Sequence, residues 1–121
     1  MAPAPQRDPD CLFCRIVAGE IPADVVRQGQ RTLAFRDVSP QAPVHVLVVT
    51  EEHFPDITAV VASDPSLAAD LLAEATLVAE EEGLTIGGFR IVLNTGADGG
   101  QTVGHVHAHV LGGRQMGWPP G

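Results

Sequence analysis

Three of the chain's five histidines alternate through the stretch GHVHAHVLGG at His105, His107 and His109. Imidazole titrates near neutrality, so it offers either a lone pair or a proton donor in water, and it also ligates metals. On a strand, alternate side chains share a face, so the three histidines would line one face while Val106, Ala108 and Val110 line the other. Neighbouring imidazoles in such a row stand about 6.6 Å apart and the outer pair about 13 Å. A metal could bridge two of them but would strain to reach three on one flat strand. Three readings stay open at this point: a metal site, a polar strand face without a role, and phosphorus chemistry. In the last, one neutral imidazole attacks while its neighbours donate to phosphoryl oxygens. The preceding loop NTGADGGQT suits an anion, since its glycines allow backbone N–H groups to turn inward and Asn94, Gln101 and Thr102 add polar side chains.

Composition narrows the classes. At 121 residues and 12.7 kDa the chain fits one domain. A net charge of −8 disfavours a nucleic-acid polymer as partner, because backbone phosphates are met by clustered cations. All seven cations are arginine, so neither a P-loop lysine nor a Schiff base is available. No apolar run approaches the ~20 residues of a membrane span, and the opening MAPAPQRDPD lacks the apolar run of a secretory signal. Residues 1–10 therefore read as a disordered lead, and the cytoplasm is the expected compartment. The only cysteines, Cys11 and Cys14, sit too close in sequence to staple a fold, which fits a reducing compartment. Cys-x-x-Cys at a helix start suits redox chemistry, but the chain lacks the βαβ context of a thioredoxin-like motif.

The elements that must position these residues follow from pattern. CLFCRIVAGE predicts a short amphipathic helix stopped by Gly19, with Pro22 preventing continuation. ADVVRQGQRTLAFRD predicts two strands about the turn QGQ, and VHVLVVT at 44–50 a third, after the breakers SPQAP. SDPSLAADLLAEATLVAEEEG predicts the longest helix, with Asp64 as N-cap, Pro65 in its first turn and Gly83 at its end. Its apolar stripe is Leu67, Leu71, Leu72, Ala75, Val78 and Ala79. Glu80, Glu81 and Glu82 have the wrong sign for the helix dipole at that end and read as a solvated face. GFRIVLNT and HVHAHVL complete an α+β domain over 11–121: about five antiparallel strands, one long helix packed on them and a short N-terminal helix.

The run from Asn94 to Gly113, with its His-x-His-x-His and two following apolar residues, resembles the signature of the histidine triad superfamily of nucleotide-binding proteins. With CRIVAGEIPA, FRDVSPQAPVHVLV and the ending GGRQMGWPPG, the chain is similar to the Hint branch from about residue 11 to 121. The resemblance implies a homodimer with a HIT-like fold. It also implies hydrolysis of purine nucleoside phosphoramidates, of the AMP–amine type, through a nucleotidyl-histidine. It makes His107 the nucleophile, which position in the row could not, and His109 a donor to phosphoryl oxygens. His45 would bond the nucleophile's other ring nitrogen. Asp37 would accept the ribose hydroxyls; Leu12, Phe13, Ile16, Phe35, Val38 and Leu47 would form the slot for the base; Asn94, Gly100 and Thr102 would contact the phosphate, beside the Gln101 that the loop's own polarity adds.

The tail 112–121, with Trp118, would reach the partner subunit's site. Thr102 stands where the family pattern has serine, and Gly117 where a bulkier polar residue is expected, which bears on the leaving group. Relatives carrying the Cys-x-x-Cys bind structural zinc, and the matching set here is Cys11, Cys14, His53 and His105. With zinc, His105 is a ligand; without it, an acid near the leaving amine. The triad chemistry itself requires no cofactor. Two other functions share these motifs: a nucleotide-binding or interaction module with vestigial hydrolysis, and a dinucleoside polyphosphate hydrolase. The tail favours the phosphoramidase.

Overall fold

The computed structural model describes residues 7–121. The elements run α1 (Leu12–Val17), β1 (Val25–Gln28), β2 (Thr32–Arg36), β3 (Val44–Thr50), α2 (Ile57–Ser63), α3 (Pro65–Glu81), β4 (Phe89–Val92) and β5 (His107–Gly112). Five strands form one antiparallel sheet in the order β1-β2-β3-β5-β4, as the alternation of strand and turn signals predicts. β3 lies at its centre. Every β3 residue after Val44 is buried, so it reads as a nearly continuous apolar run that packs on both faces.

The two faces carry different cores. Ala34, Val46, Val48, Val106, Ala108 and Val110 point to one side and pack under Leu67, Leu71, Ala75, Val78 and Ala79 of α3. The apolar half of the histidine stretch thus faces the long helix. On the other side Leu33, Phe35, Leu47 and Val49 meet Cys11, Phe13 and Cys14 of the α1 segment. Period two in the strands therefore sorts residues between a largely apolar core under α3 and a second face, shared by α1 and the histidines.

Asp64 caps α3 as expected: its side chain accepts from the Leu67 N–H, and Pro65 opens the helix. Gly83 takes φ +74 just beyond the end. Four details correct the sequence reading. A second helix, α2, precedes α3, capped by Asp56 accepting from the Ala59 N–H. Leu72 is exposed while Glu74 is buried, because Glu74 pairs with Arg27 of β1 at 2.7 Å. Glu81 and Glu82 are not a merely solvated face, since they pair with Arg27 and Arg36 of the neighbouring strands. Of the expected disordered lead, residues 1–6 lie outside the described residues. Residues 8–10 form a turn held by the Cys11 N–H donating to the Asp8 carbonyl at 3.0 Å. Among the described residues, no helix is long and apolar enough to cross a membrane.

Candidate active site and metal cage

Between α1, the end of β2 and the start of β5 lies a cleft of about 340 Å³. Its lining includes Leu12, Phe13, Ile16, Phe35, Asp37, Val38, Leu47, Thr102, His107 and His109 from the expected set. Ile21, Pro22, Ala23, Arg36 and Val103 also line it and were not singled out from sequence. The segment Ile21–Ala23 carried a readable signal, since an apolar pair at the Pro22 breaker must pack somewhere after α1 ends. The walls are mostly apolar with a few polar side chains among them, the usual arrangement for a small-molecule site.

The two histidines in the cleft have different hydrogen-bond states. His107 is buried, and its Nδ1 lies 2.7 Å from the backbone carbonyl of His105. A carbonyl only accepts, so Nδ1 bears the proton and Nε2 keeps its lone pair. For His109 the assignment starts two residues away. The Gln41 N–H donates to His45 Nδ1 at 3.0 Å, so that nitrogen is the acceptor and the His45 proton sits on Nε2. His45 Nε2 then donates to His109 Nδ1 at 2.9 Å, which places the His109 proton on Nε2. Each of the two cleft histidines therefore has Nδ1 engaged in the protein. What remains is a lone pair on His107 and an N–H on His109.

Burial favours the neutral forms of His109 and His45. Burial pushes His109 down to about 4, the neighbouring His107 and His45 reinforce that, and Asp37 opposes it. Burial likewise lowers His45, again against the pull of Asp37. Asp37 Oδ2 lies 3.4 Å from His45 Nε2, and its Oδ1 accepts from the Ser39 N–H at 2.8 Å. Phe13 holds the rings in place, edge-on to His107 with centroids 5.1 Å apart and to Phe35 at 5.6 Å.

Register explains a correction to the expected role of His45. β3 pairs with β5 so that Leu47 opposes His109 and Val49 opposes His107. His45 is thus one diagonal step from His109 and two from His107, and only the first is within reach. The other ring nitrogen of His107 is held by the His105 carbonyl instead.

His105 leaves the row altogether. β5 begins at His107, and the Val106 N–H bonds the Phe54 carbonyl, turning the chain before the strand starts. His105 is fully buried beside Cys11, Cys14 and His53. Its Nδ1 lies 3.3 Å from Cys11 Sγ, 3.5 Å from Cys14 Sγ and 3.2 Å from His53 Nδ1; Cys14 Sγ lies 3.4 Å from His53 Nδ1. Around a tetrahedral zinc, nitrogen–nitrogen edges are about 3.3 Å and sulfur–nitrogen edges about 3.6 Å. The donor set fits that ion. His105 Nε2 donates to the Thr50 carbonyl at 2.7 Å, leaving Nδ1 with the lone pair a ligand needs. Backbone N–H groups also point at both sulfurs, Cys14 N at Cys11 Sγ and Asp8 N at Cys14 Sγ. Without a cation, burial pushes the Cys14 thiol up and lowers His105 to about 4.

Besides His45 and His105, four residues expected to bind substrate do not line the cleft. Asn94 donates to the Gly99 carbonyl, and Gln101 accepts from the Gly96 N–H while donating to the carbonyls of Pro55 and Val103. These side chains fold the glycine loop on itself, and Gln101 is fully committed to that work. Gly100 takes φ +77 within the same turn. Trp118 is 84% exposed and is not part of the cleft lining.

Comparison with known proteins agrees with this geometry. The model of the HIT domain family matches residues 18–116. An uncharacterized HIT-like protein of Synechococcus elongatus is 48% identical over 112 residues, covering 93% of this chain and 97% of that protein. The crystal structure of a HIT family hydrolase from Legionella pneumophila superposes with a TM-score of 0.89 at 50% identity, covering 93% of this chain and all of that one. A zinc-bound histidine triad family protein from Mycobacterium smegmatis superposes with a TM-score of 0.78 at 30% identity, covering 93% and 80% of the two chains.

Proposed function

Because the chain belongs to the HIT domain family, we propose that it is a hydrolase of purine nucleoside phosphoramidates, with His107 as nucleophile. The observation that carries this reading is the pair of opposite tautomers in the cleft: a lone pair on His107 Nε2 beside an N–H on His109 Nε2. The first suits attack on phosphorus and the second suits a phosphoryl oxygen.

In the proposed reaction, the His107 lone pair forms a bond to the α-phosphorus and the bond from phosphorus to the substrate amine breaks. The amine departs with one proton taken up from water. His107 keeps its Nδ1 proton on the His105 carbonyl throughout, so the developing imidazolium charge is stabilised by that bond. Water then attacks the nucleotidyl-histidine, releases AMP, restores the neutral imidazole and returns the proton. The His109 N–H stabilises the phosphoryl oxygens in both steps. Leu12, Phe13, Ile16, Phe35, Val38 and Leu47 would hold the base, and Asp37 the ribose hydroxyls, since a carboxylate accepts from both members of a diol. Thr102, which lines the cleft, would supply a hydroxyl to the phosphate.

The same proposal includes zinc held by Cys11, Cys14, His53 and His105, a closed structural site that ties α1 to the start of β5. His105 is then a ligand and not an acid. It includes a homodimer as well: β4 is an edge strand of the sheet, and the exposed Trp118 would reach the partner's cleft.

The test is turnover of an adenosine aminoacyl phosphoramidate beside a diadenosine polyphosphate, for the native chain and His107→Ala. Release of AMP from the phosphoramidate by the native chain alone supports the reading. Preference for the polyphosphate makes it a dinucleoside polyphosphate hydrolase, and equal, buffer-level rates make it a binding module.

A further inference from the structure

The tautomer of His109 follows that of His45, which the Gln41 N–H sets at Nδ1 and the Asp37 carboxylate favours at Nε2 from 3.4 Å, and Gln41 is itself gripped from elsewhere. Gln41 lies in the segment Ser39–Pro43, where two prolines flank it and no regular hydrogen-bond ladder holds the backbone. Its carbonyl accepts two bonds from the Arg114 guanidinium, from Nε at 3.2 Å and Nη2 at 3.0 Å, while Nη1 donates to the Gln115 carbonyl at 3.0 Å. Just before it, Gly113 takes φ +88 and passes so near the segment that a Cβ there would lie 2.9 Å from Pro43 Cβ. The tail leaving β5 therefore returns across the segment whose N–H is aimed at His45.

We propose that Arg114 is a positioning residue for His109, acting through Gln41 and His45. Holding the Gln41 carbonyl fixes the orientation of that residue and keeps its N–H on His45 Nδ1. If that donor drifts away, only the Asp37 carboxylate still favours the Nε2–H form, and a share of His45 carries its proton on Nδ1. His45 Nε2 then becomes an acceptor, the His109 proton moves to Nδ1 to meet it, and His109 Nε2 faces the cleft as a lone pair. The group meant to donate to a phosphoryl oxygen would instead repel it. The guanidinium suits this clamp because two of its N–H groups converge on one carbonyl, whereas an ammonium makes a single, less directed bond.

The catalytic consequence rests on the reading that His109 Nε2–H meets the phosphoryl group; the tautomer control does not. Both are tested on the full-length protein labelled with 15N, by long-range 1H–15N correlation of the imidazoles without nucleotide. In the native chain His45 and His109 should both report the Nε2–H form. In Arg114→Met, which keeps the stem and removes the donors, both should acquire a share of the Nδ1–H form. Arg114→Lys, with one donor, should return part of the way. Turnover of an adenosine phosphoramidate should fall about three- to tenfold in kcat in Arg114→Met, the range expected from losing the His109 hydrogen bond to the phosphoryl group in part of the population, with KM within about twofold. Tautomers unchanged in Arg114→Met overturn the proposal whatever the rates do. Shifted tautomers in a chain without phosphoramidase activity uphold the clamp and refute the proposed function.

Discussion

Metal removal should affect this protein through its fold, and the size of the effect can be worked out. α1 has six residues, well short of the ~12–15 that give an isolated helix stability in water. Its position therefore depends on what its side chains hold. Cys11 and Cys14 converge with His53 and His105 on one point, so an ion there joins α1 to the loop after β3 and to the start of β5. At free zinc a thousandfold above the dissociation constant, binding to the folded state alone contributes about 4 kcal/mol. A chain of 121 residues unfolds with an entropy of about 0.25 kcal/mol/K at roughly 2.1 cal/mol/K per residue. The corresponding shift in Tm is about 16 °C. Calorimetry of the protein with zinc and after exhaustive chelation reads it directly, and Cys14→Ser should abolish the response. A Tm that changes by less than about 2 °C, in protein that takes up less than ~0.1 zinc per chain, would refute the cage as a metal site.

Two further outcomes follow from packing and titration. Leu71 is fully buried against the sheet, so Leu71→Ala should cost about 3 kcal/mol, read as a lower urea midpoint at unchanged slope; a cost under about 1 kcal/mol would contradict the described core. His109 is held down to about 4 in the fold against about 6.5 when unfolded. The unfolded chain therefore binds more protons across that window, and this contribution to stability, complete above about pH 6.5, is lost as pH falls through 4. Urea unfolding from pH 7 to 4 should show the decline, and His109→Asn should reduce it; an identical decline in both proteins would contradict the assignment.

The strands, the long helix and its caps were legible because local chemistry specifies them. Asp64, Pro65 and Gly83 act within one turn of themselves, and alternation sorted Val106, Ala108 and Val110 to the core. What escaped was set by partners distant in sequence. Equal spacing suggested one row of three histidines, but the Val106 N–H is taken by Phe54 and His105 is drawn to cysteines more than ninety residues away. Which triad histidine His45 meets is a matter of β3–β5 register, decided by the burial of the whole strand. The same holds for Glu81 and Glu82, whose arginines lie on β1 and β2, and for Gln101, whose amide is used up by carbonyls of its own loop and of Pro55. α2 was in principle readable, since Asp56 precedes the apolar run ITAVVA as a capping residue. The Hint-like ending and the Cys-x-x-Cys carried information only through resemblance, because neither spacing nor hydropathy ties them to the cleft.

The central claim is that His107, and no other residue, becomes covalently nucleotidylated. Rapid quenching of the protein during turnover of an adenosine phosphoramidate, followed by intact-mass and fragment-mass analysis, measures this directly. One adenylyl group per chain is expected, located on His107, lost on acid treatment, retained in base and missing from His107→Ala. Steady turnover with no adduct, or an adduct carried by His109 or His105, would contradict it.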